Sequence, residues 1–139
     1  MKKYKCIVIG AGTAGLFYAA GDTIRNPGCS GRRLIIEKTA RPGQKLLMSG
    51  NGMCNITHGG SIKDFVDRYG SQKRFVRSCL YRHNNLELMS VMESLGVPLT
   101  ERADGKIFPS SLKARDILDA LLAKAGQGGW ETRYSAEVT

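Results

Sequence analysis

The sequence lacks the features that define several large classes of protein. Among its 139 residues no apolar run approaches the ~20 residues that span a bilayer, so no membrane association is predicted. The four cysteines include no Cys-x-x-Cys pair, which excludes a small disulfide scaffold. The two histidines have no ligand spacing with a cysteine, so no metal site is predicted. The basic N-terminus precedes too short an apolar stretch for a signal peptide, which predicts a cytoplasmic protein.

Acidic residues are also few. The sequence contains 12 Asp and Glu but 21 Lys and Arg, which gives a net charge of +9. A basic surface attracts anions in general and nucleic acids in particular. The basic residues are spread along the chain, however, and no aromatic residues alternate with them in a stacking pattern. A small-molecule substrate is therefore expected, and a nucleic-acid partner is not. No expectation about oligomeric state follows.

Hydrophobic periodicity predicts an α/β fold. Residues 4–9 form a nearly continuous apolar run typical of a buried parallel strand, and residues 34–37 form a second strand. Two short strands are expected around the Asp104–Gly105 turn, and residues 130–138 alternate as a last strand. Helices are predicted to about Asp22 after the first strand, from Ser61, over 73–81, over 86–95 and around an apolar face at 117–122. These elements predict a parallel sheet covered by helices, with a small helical insertion at about 61–95.

The first strand is followed by a glycine turn of the form G-x-G-x-x-G. It reads Gly10-Ala11-Gly12-Thr13-Ala14-Gly15 and opens the first helix. In this position the first glycine permits a tight turn, the second lets the backbone approach a diphosphate, and the third allows close helix–strand packing. The helix N-terminus offers N–H groups to the phosphates. We therefore predict that Gly10, Gly12, Thr13, Ala14 and Gly15 contact a dinucleotide.

An acidic residue at the end of the second strand supports this interpretation. Glu37 follows Gly15 by 22 residues, where a carboxylate accepts the ribose hydroxyls of an adenosine. It would repel a 2′-phosphate and so favours FAD or NAD over NADP, although the neighbouring Lys38 weakens that distinction. Both residues are predicted to border the cofactor.

A second glycine-rich segment separates this sequence from a simple NAD-binding domain. Residues 41–57 read RPGQKLLMSGNGMCNIT and offer small groups suited to lying against a flat ring. The alternative is an ordinary surface loop. Cys54 within it is explained more simply as a small buried residue than as a reactive thiol, because the sequence places no base beside it. No catalytic residue is assigned.

Three motifs in the same order resemble one family. They are the glycine turn with the Glu37-Lys38 pair, the segment 41–57, and GKIFPSSLKA at 105–114. Together they resemble the bacterial NAD(P)/FAD-dependent oxidoreductases of the aminoacetone-oxidase-like and BaiN type. The resemblance implies a Rossmann-like domain that binds FAD, with NAD(P)H as electron donor. It also implies that residues 1–139 are the truncated N-terminal part of a longer FAD/NAD(P)-binding domain.

The resemblance also implies further cofactor contacts. The segment from Lys45 to Cys54 would lie along the ribityl and ring portion of FAD, and Val138 would lie near the adenine. The residues predicted there are Lys45, Ser49, Gly50, Asn51, Gly52, Cys54 and Val138. The sequence departs from the family pattern at Met53, where the family has Arg, and at Asn51, where it has Gly. Two alternatives stay open: a flavin-dependent tRNA-modifying enzyme, and a fragment that folds without cofactor or activity.

Overall fold

A parallel sheet and an antiparallel sheet are the framework of the computed structural model, which describes residues 3–139. The parallel sheet has the order β1-β2-β6, so β2 lies between the other two strands. Its strands are β1 (Cys6–Ile9), β2 (Arg33–Ile36) and β6 (Trp130–Arg133). Helix α1 (Thr13–Arg25) connects β1 to β2, and α6 (Ala114–Gln127) precedes β6 and packs against α1.

The core lies between the parallel sheet and these two helices. Leu16 of α1 and Ile35 of β2 are fully buried there, and so is Leu121 of α6. Apolar residues recur every three or four positions along α6, which turns one stripe of the helix inward. The predicted apolar face at 117–122 is thereby confirmed, with Leu122 at its half-buried margin.

The antiparallel sheet lies in the segment between β2 and α6. Its order is β3-β5-β4, with β3 at Thr57–His58, β4 at Leu99–Glu101 and β5 at Lys106–Pro109. The helices of this segment are α2 (Gln44–Met48), a 3-10 turn (Ser49–Gly52), α3 (Ile62–Asp67), a 3-10 turn (Gly70–Gln72), α4 (Lys73–Arg82) and α5 (Asn85–Ser94). Ser61 accepts a hydrogen bond from the Asp64 amide at 3.2 Å, as expected for the cap of α3.

The predicted Rossmann-like α/β class is confirmed, and three details of the prediction are wrong. Strand β1 is not buried on both faces, because Ile7 and Ile9 are 50% and 70% exposed. The last strand ends at Arg133, so Val138 lies outside it. The glycine-rich segment contains the short helix α2, which its weak periodicity did not indicate. That residues 61–95 are an insertion into a longer domain stays a prediction.

Neither a spanning helix nor a metal cluster occurs in the part of the chain that the structure describes. No helix within residues 3–139 is both long and apolar enough to cross a membrane. The same residues contain no group of three His, Cys, Asp or Glu side chains arranged to hold a metal ion.

Candidate functional site

The glycine turn brings helix α1 very close to strand β1. A Cβ atom on Gly15 would lie 2.1 Å from the carbonyl oxygen of Gly10 and 3.0 Å from Cγ1 of Val8. Gly10 has a φ of +98°, a conformation that side chains rarely adopt. Both positions therefore require glycine, the first for close packing and the second for the turn.

The N-terminus of α1 is open toward a ligand. Gly12 caps the helix without a side-chain hydrogen bond, and the first turn contains no acidic residue. A Cβ atom on Gly12 would meet nothing within 4 Å, so space lies above the backbone at this point. The first N–H groups of a helix have no partner within the helix, and here Thr13 and Ala14 belong to that first turn. This arrangement suits a diphosphate group.

Glu37 lies against the glycine turn. Its Oε2 atom accepts a hydrogen bond from the Ala11 amide at 2.7 Å, and its Oε1 atom accepts bonds from the amide and hydroxyl of Thr39 at 2.9 and 2.8 Å. A carboxylate has about four acceptor positions, so one on Oε2 remains for a ribose hydroxyl. The Thr39 amide bond outweighs partial burial and, with the other two bonds, holds the pKa of Glu37 below its ordinary value.

A cleft of about 360 Å³ adjoins the Glu37 carboxylate. Val138 lines this cleft although β6 ends at Arg133. The chain after β6 stays bonded to the residues that follow β2. The Ser135 amide donates to the Thr39 carbonyl, and the Ala136 amide donates to the Glu37 carbonyl, both at 3.0 Å. The lining residues are Ile9, Gly10, Ile36, Glu37, Lys38, Ala136, Glu137 and Val138. The structure thus brings four of the predicted site residues, namely Gly10, Glu37, Lys38 and Val138, to one cleft.

The second glycine-rich segment is bonded to the first. The Gly43 amide donates to the Ala11 carbonyl at 2.9 Å, and a Cβ atom on Gly43 would lie 2.6 Å from Cδ1 of Leu118. Helix α2 starts from this contact, since the Leu47 amide donates to the Gly43 carbonyl at 3.0 Å. The two predicted cofactor segments therefore form one surface around Ala11.

The backbone after α2 is coiled in the left-handed region. Gly50, Asn51, Gly52 and Cys54 have φ values of 56°, 56°, 83° and 57°. For cysteine this conformation is uncommon, and strained residues of this kind concentrate at functional sites. The Cys54 amide donates to the Ser49 carbonyl at 3.0 Å, and the cysteine itself is 6% exposed. The buried environment predicted for Cys54 is confirmed.

A second cleft, of about 280 Å³, adjoins the first residues of α1. Four predicted residues line it together: Thr13, Lys45, Ser49 and Cys54. Gly50, Asn51 and Gly52 are outside this lining, on the exposed loop beside it. Gly10 borders the first cleft and Thr13 the second, so both clefts adjoin the glycine turn.

Sequence reasoning missed several residues of the two clefts. Met92 is a buried core residue that also lines the second cleft, and Asn55, which lies within the segment 41–57, was given no role. The helical spacing of Leu88 and Met92 indicates one shared face but not what that face covers. Ala11 bonds Glu37 through its backbone amide, which carries no signal in the sequence, and Thr39 does so through its amide and its hydroxyl in the turn after β2.

The family that contains this chain is shown by comparison with known proteins. The family model described as the HI0933-like protein Rossmann domain matches residues 4–139. The chain belongs to this family. The resemblance drawn from the three motifs is thereby confirmed.

Two curated relatives cover different lengths of the chain. The Ribosomal RNA dihydrouridine synthase of Escherichia coli is 33% identical over 99% of this chain and 33% of its own length. The 3-dehydro-bile acid delta(4,6)-reductase of Clostridium scindens is 32% identical over 82% of this chain and 27% of its own length. The chain thus spans about a third or less of the curated relatives it matches.

A solved structure shares the fold. The crystal structure of Thermovibrio ammonificans THI4 superposes with a TM-score of 0.55 at 16% identity, over 94% of this chain and 38% of that one. At this identity the likeness concerns the fold alone.

Proposed function

We propose that this chain binds FAD and is the N-terminal part of a flavin-dependent oxidoreductase. The observation that carries the proposal is the contact between the Glu37 carboxylate and the Ala11 amide at 2.7 Å. In this contact a carboxylate that can accept a ribose hydroxyl lies beside the glycine turn, and Gly10 and Thr13 each border a cleft. Membership in a Rossmann-domain family whose motifs resemble those of flavoproteins supports the same assignment.

In this proposal, different residues bind different parts of the cofactor. The amides of Gly12, Thr13 and Ala14 receive the diphosphate, and Glu37 accepts one hydroxyl of the adenosine ribose. The second cleft receives the flavin end, beside Lys45 and Ser49. FAD when bound supplies the electron-transfer chemistry, and the chain contributes binding and orientation.

Competition between nucleotides tests the proposal. The purified protein is titrated with FAD, and binding is followed by quenching of flavin fluorescence. ADP should compete with FAD because it fills the turn and the Glu37 cleft. Failure to bind FAD would contradict the proposal and would favour the alternative of a fragment without cofactor.

A single substitution tests the Glu37 contact. Glu37→Gln should weaken FAD binding by about 10- to 100-fold, because a hydrogen bond to a charged group contributes roughly 1.5–3 kcal/mol. Glu137→Gln, in the same cleft, is the matched control and should bind within a few-fold of the wild type. Equal losses in both variants would show that the cleft charge as a whole, and not Glu37, carries the binding.

We propose NADH or NADPH as the electron donor and a small organic molecule as the first candidate substrate. The proposal is consistent with a cytoplasmic location, where both nucleotides are available. Anaerobic addition of either nucleotide should bleach the absorbance of the bound flavin. An unchanged spectrum with both nucleotides would overturn this part of the proposal and leave the FAD site standing.

RNA is a second candidate substrate. The Escherichia coli relative is by name a ribosomal RNA dihydrouridine synthase, and the chain carries a net charge of +9. Mass spectrometry of RNA incubated with the reduced protein would detect the gain of two hydrogen atoms per modified base. Turnover of a small unsaturated carbonyl compound with no change in RNA would favour the first candidate.

A further inference from the structure

Helix α4 carries an exposed basic face. Arg74, Ser78 and Arg82 recur every four residues and therefore lie in one row, with Arg77 beside that row. No residue of α4 is buried. Residues 61–84 contain six Lys or Arg against two Asp, a net charge of +4 within the chain's +9.

The arginines of this face are available to an external anion. Among the ion pairs of residues 3–139, the one that involves α4 joins Lys73 to Asp67 at 3.4 Å. Arg74 and Arg77 line two adjoining clefts of about 500 and 570 Å³, and Arg82 lines the second of them. Three guanidinium groups thus border open space, and Asp67, the carboxylate that lines the first cleft, is paired with Lys73.

Two aromatic rings flank the arginine row. Phe75 is 85% exposed and Tyr81 is 46% exposed, so both rings are accessible to a partner. The Arg77 guanidinium lies over the Tyr81 ring, 5.5 Å from its centroid. Along the sequence these aromatics do not alternate with the basic residues, but the helical period places one ring on each side of the row.

We propose that the α4 face, defined as Arg74, Phe75, Arg77, Ser78, Tyr81 and Arg82, binds single-stranded RNA. Arginines neutralise successive phosphates, and the exposed rings stack on unpaired bases, which is the combination that single-stranded nucleic acids require. The inference deepens the second candidate substrate above and rests on it. It does not depend on where FAD is bound.

The α4 face is connected to the candidate site through α5. Helix α4 ends at Arg82 and α5 begins at Asn85, so two residues separate the helices. Helix α5 places Leu88 and Met92 in the lining of the second cleft. An RNA strand bound to α4 would therefore lie two residues along the chain from the helix that forms one wall of the proposed flavin cleft.

Salt dependence of RNA binding tests the charge of this face. A fluorescein-labelled oligouridylate is titrated with the purified protein at several KCl concentrations, and binding is followed by anisotropy. The triple variant R74Q/R77Q/R82Q should lower the slope of log K against log salt by about 2, since each phosphate contact on a single strand contributes about 0.7. The variant R74K/R77K/R82K should keep most of the slope because it keeps the charge.

The control variant removes three exposed charges elsewhere. R102Q/K106Q/R115Q has the same net charge as the glutamine triple variant and should retain the wild-type slope. Equal losses in both variants would overturn the proposal, because they would reflect net charge alone. Circular dichroism should be unchanged, since α4 buries no side chain.

Substitution of the rings tests stacking. Phe75→Ala and Tyr81→Ala should each weaken oligouridylate binding by about tenfold without changing the salt slope, because stacking contributes roughly 1–3 kcal/mol per base. Unchanged affinity in both variants would exclude the stacking part. Binding to phosphatidylglycerol vesicles with none to RNA would show an anionic membrane surface as the partner and overturn the proposal.

Flavin content separates this inference from the cofactor proposal. FAD binding is measured on every variant, and it should match the wild type because no residue of the α4 face lines either cleft of the candidate site. A protein that binds FAD but not oligouridylate refutes the RNA surface alone. A protein that binds oligouridylate but not FAD refutes the cofactor site alone.

Discussion

Glu37 has a structural role besides the one predicted from its position. Its carboxylate bonds Ala11 and Thr39, so it fastens the glycine turn to the end of β2 before any ligand arrives. A group prepared in this way loses little freedom when a ribose hydroxyl binds. If the proposed site is correct, ligand affinity and fold stability depend on the same side chain.

The lowered pKa of Glu37 predicts how stability depends on pH. The stabilisation by its anionic form is fully present above the ordinary value of 4.5 and is lost as the pH falls through the lower pKa of the folded protein. Urea unfolding midpoints measured from neutral to acidic pH should converge for wild type and Glu37→Gln at low pH. A constant difference at all pH values would contradict the role of the charge.

Gly15 offers a direct test of the close helix–strand contact. Gly15→Ala should unfold the turn or displace α1, because the new methyl group would meet the Gly10 carbonyl at 2.1 Å. We expect destabilisation of several kcal/mol, as for other severe overpacking, and loss of FAD binding. Thermal denaturation and flavin fluorescence measure the two effects.

Gly126→Ala is the matched control for this substitution. Gly126 lies within α6, and a Cβ atom there would meet nothing within 4 Å. Alanine in a helix is more favourable than glycine by roughly 1 kcal/mol. This variant should therefore be at least as stable as the wild type, and a loss equal to that of Gly15→Ala would contradict the steric explanation.

At the scale of elements, a buried ion pair joins α1, β2 and the end of α6. Arg33 donates to Asp22 at 2.6 Å and also to the Gly128 carbonyl, and its side chain is 5% exposed. Burial alone would raise the pKa of Asp22, but the hydrogen bonds from Arg33 and Asn26 lower it overall. The pair lies at the start of β2, whereas Glu37 follows its end.

Removal of one partner should be costly. Asp22→Ala leaves the Arg33 charge buried and should lower the free energy of unfolding by about 3–5 kcal/mol. The double variant Asp22→Leu/Arg33→Met should recover most of that loss. Urea denaturation measures the free energy of unfolding of both variants. Under conditions where the variants are fully folded, their affinity for FAD should match that of the wild type. A double variant no more stable than the single one would show that the pair contributes beyond its own desolvation.

The elements that sequence could predict are those whose signal is local. The βαβ start was predictable because an apolar run, a glycine turn and an acid follow one another at fixed spacing. The two-residue strand β3 was not, since its pairing with Ile107 and Lys106 depends on residues far along the chain. The end of β6 was not predicted correctly, because Ser135 turns the chain with a φ of 52°. Serine rarely adopts this left-handed conformation, so the residue type does not predict the turn.

The candidate site divides in the same way. The glycines and Glu37 follow from chemistry at known spacing, whereas the bond from Ala11 to Glu37 arises only when two segments meet. The aromatic rings beside the basic row of α4 became evident once the helix ordered them in three dimensions. Local patterns thus predicted the ligand class, and tertiary contacts supplied the geometry.

Across the whole molecule, burial is unevenly divided among the helices. Helix α6 buries five side chains, namely Ala114, Ile117, Leu118, Leu121 and Ala125, and α1 buries four. Helix α4 buries none. Because local opening requires little free energy where few apolar contacts are lost, α4 should open independently of the core.

Native-state amide hydrogen exchange, measured by mass spectrometry, tests this division. Amides of α4 should exchange well before those of α1 and α6, and oligouridylate should slow exchange in α4 while leaving α6 unchanged. FAD should instead slow exchange around the glycine turn and α2, because both adjoin its proposed clefts. Equal exchange rates in α4 and α6 would contradict the unequal stability, since a helix with no buried side chain would then unfold only with the core.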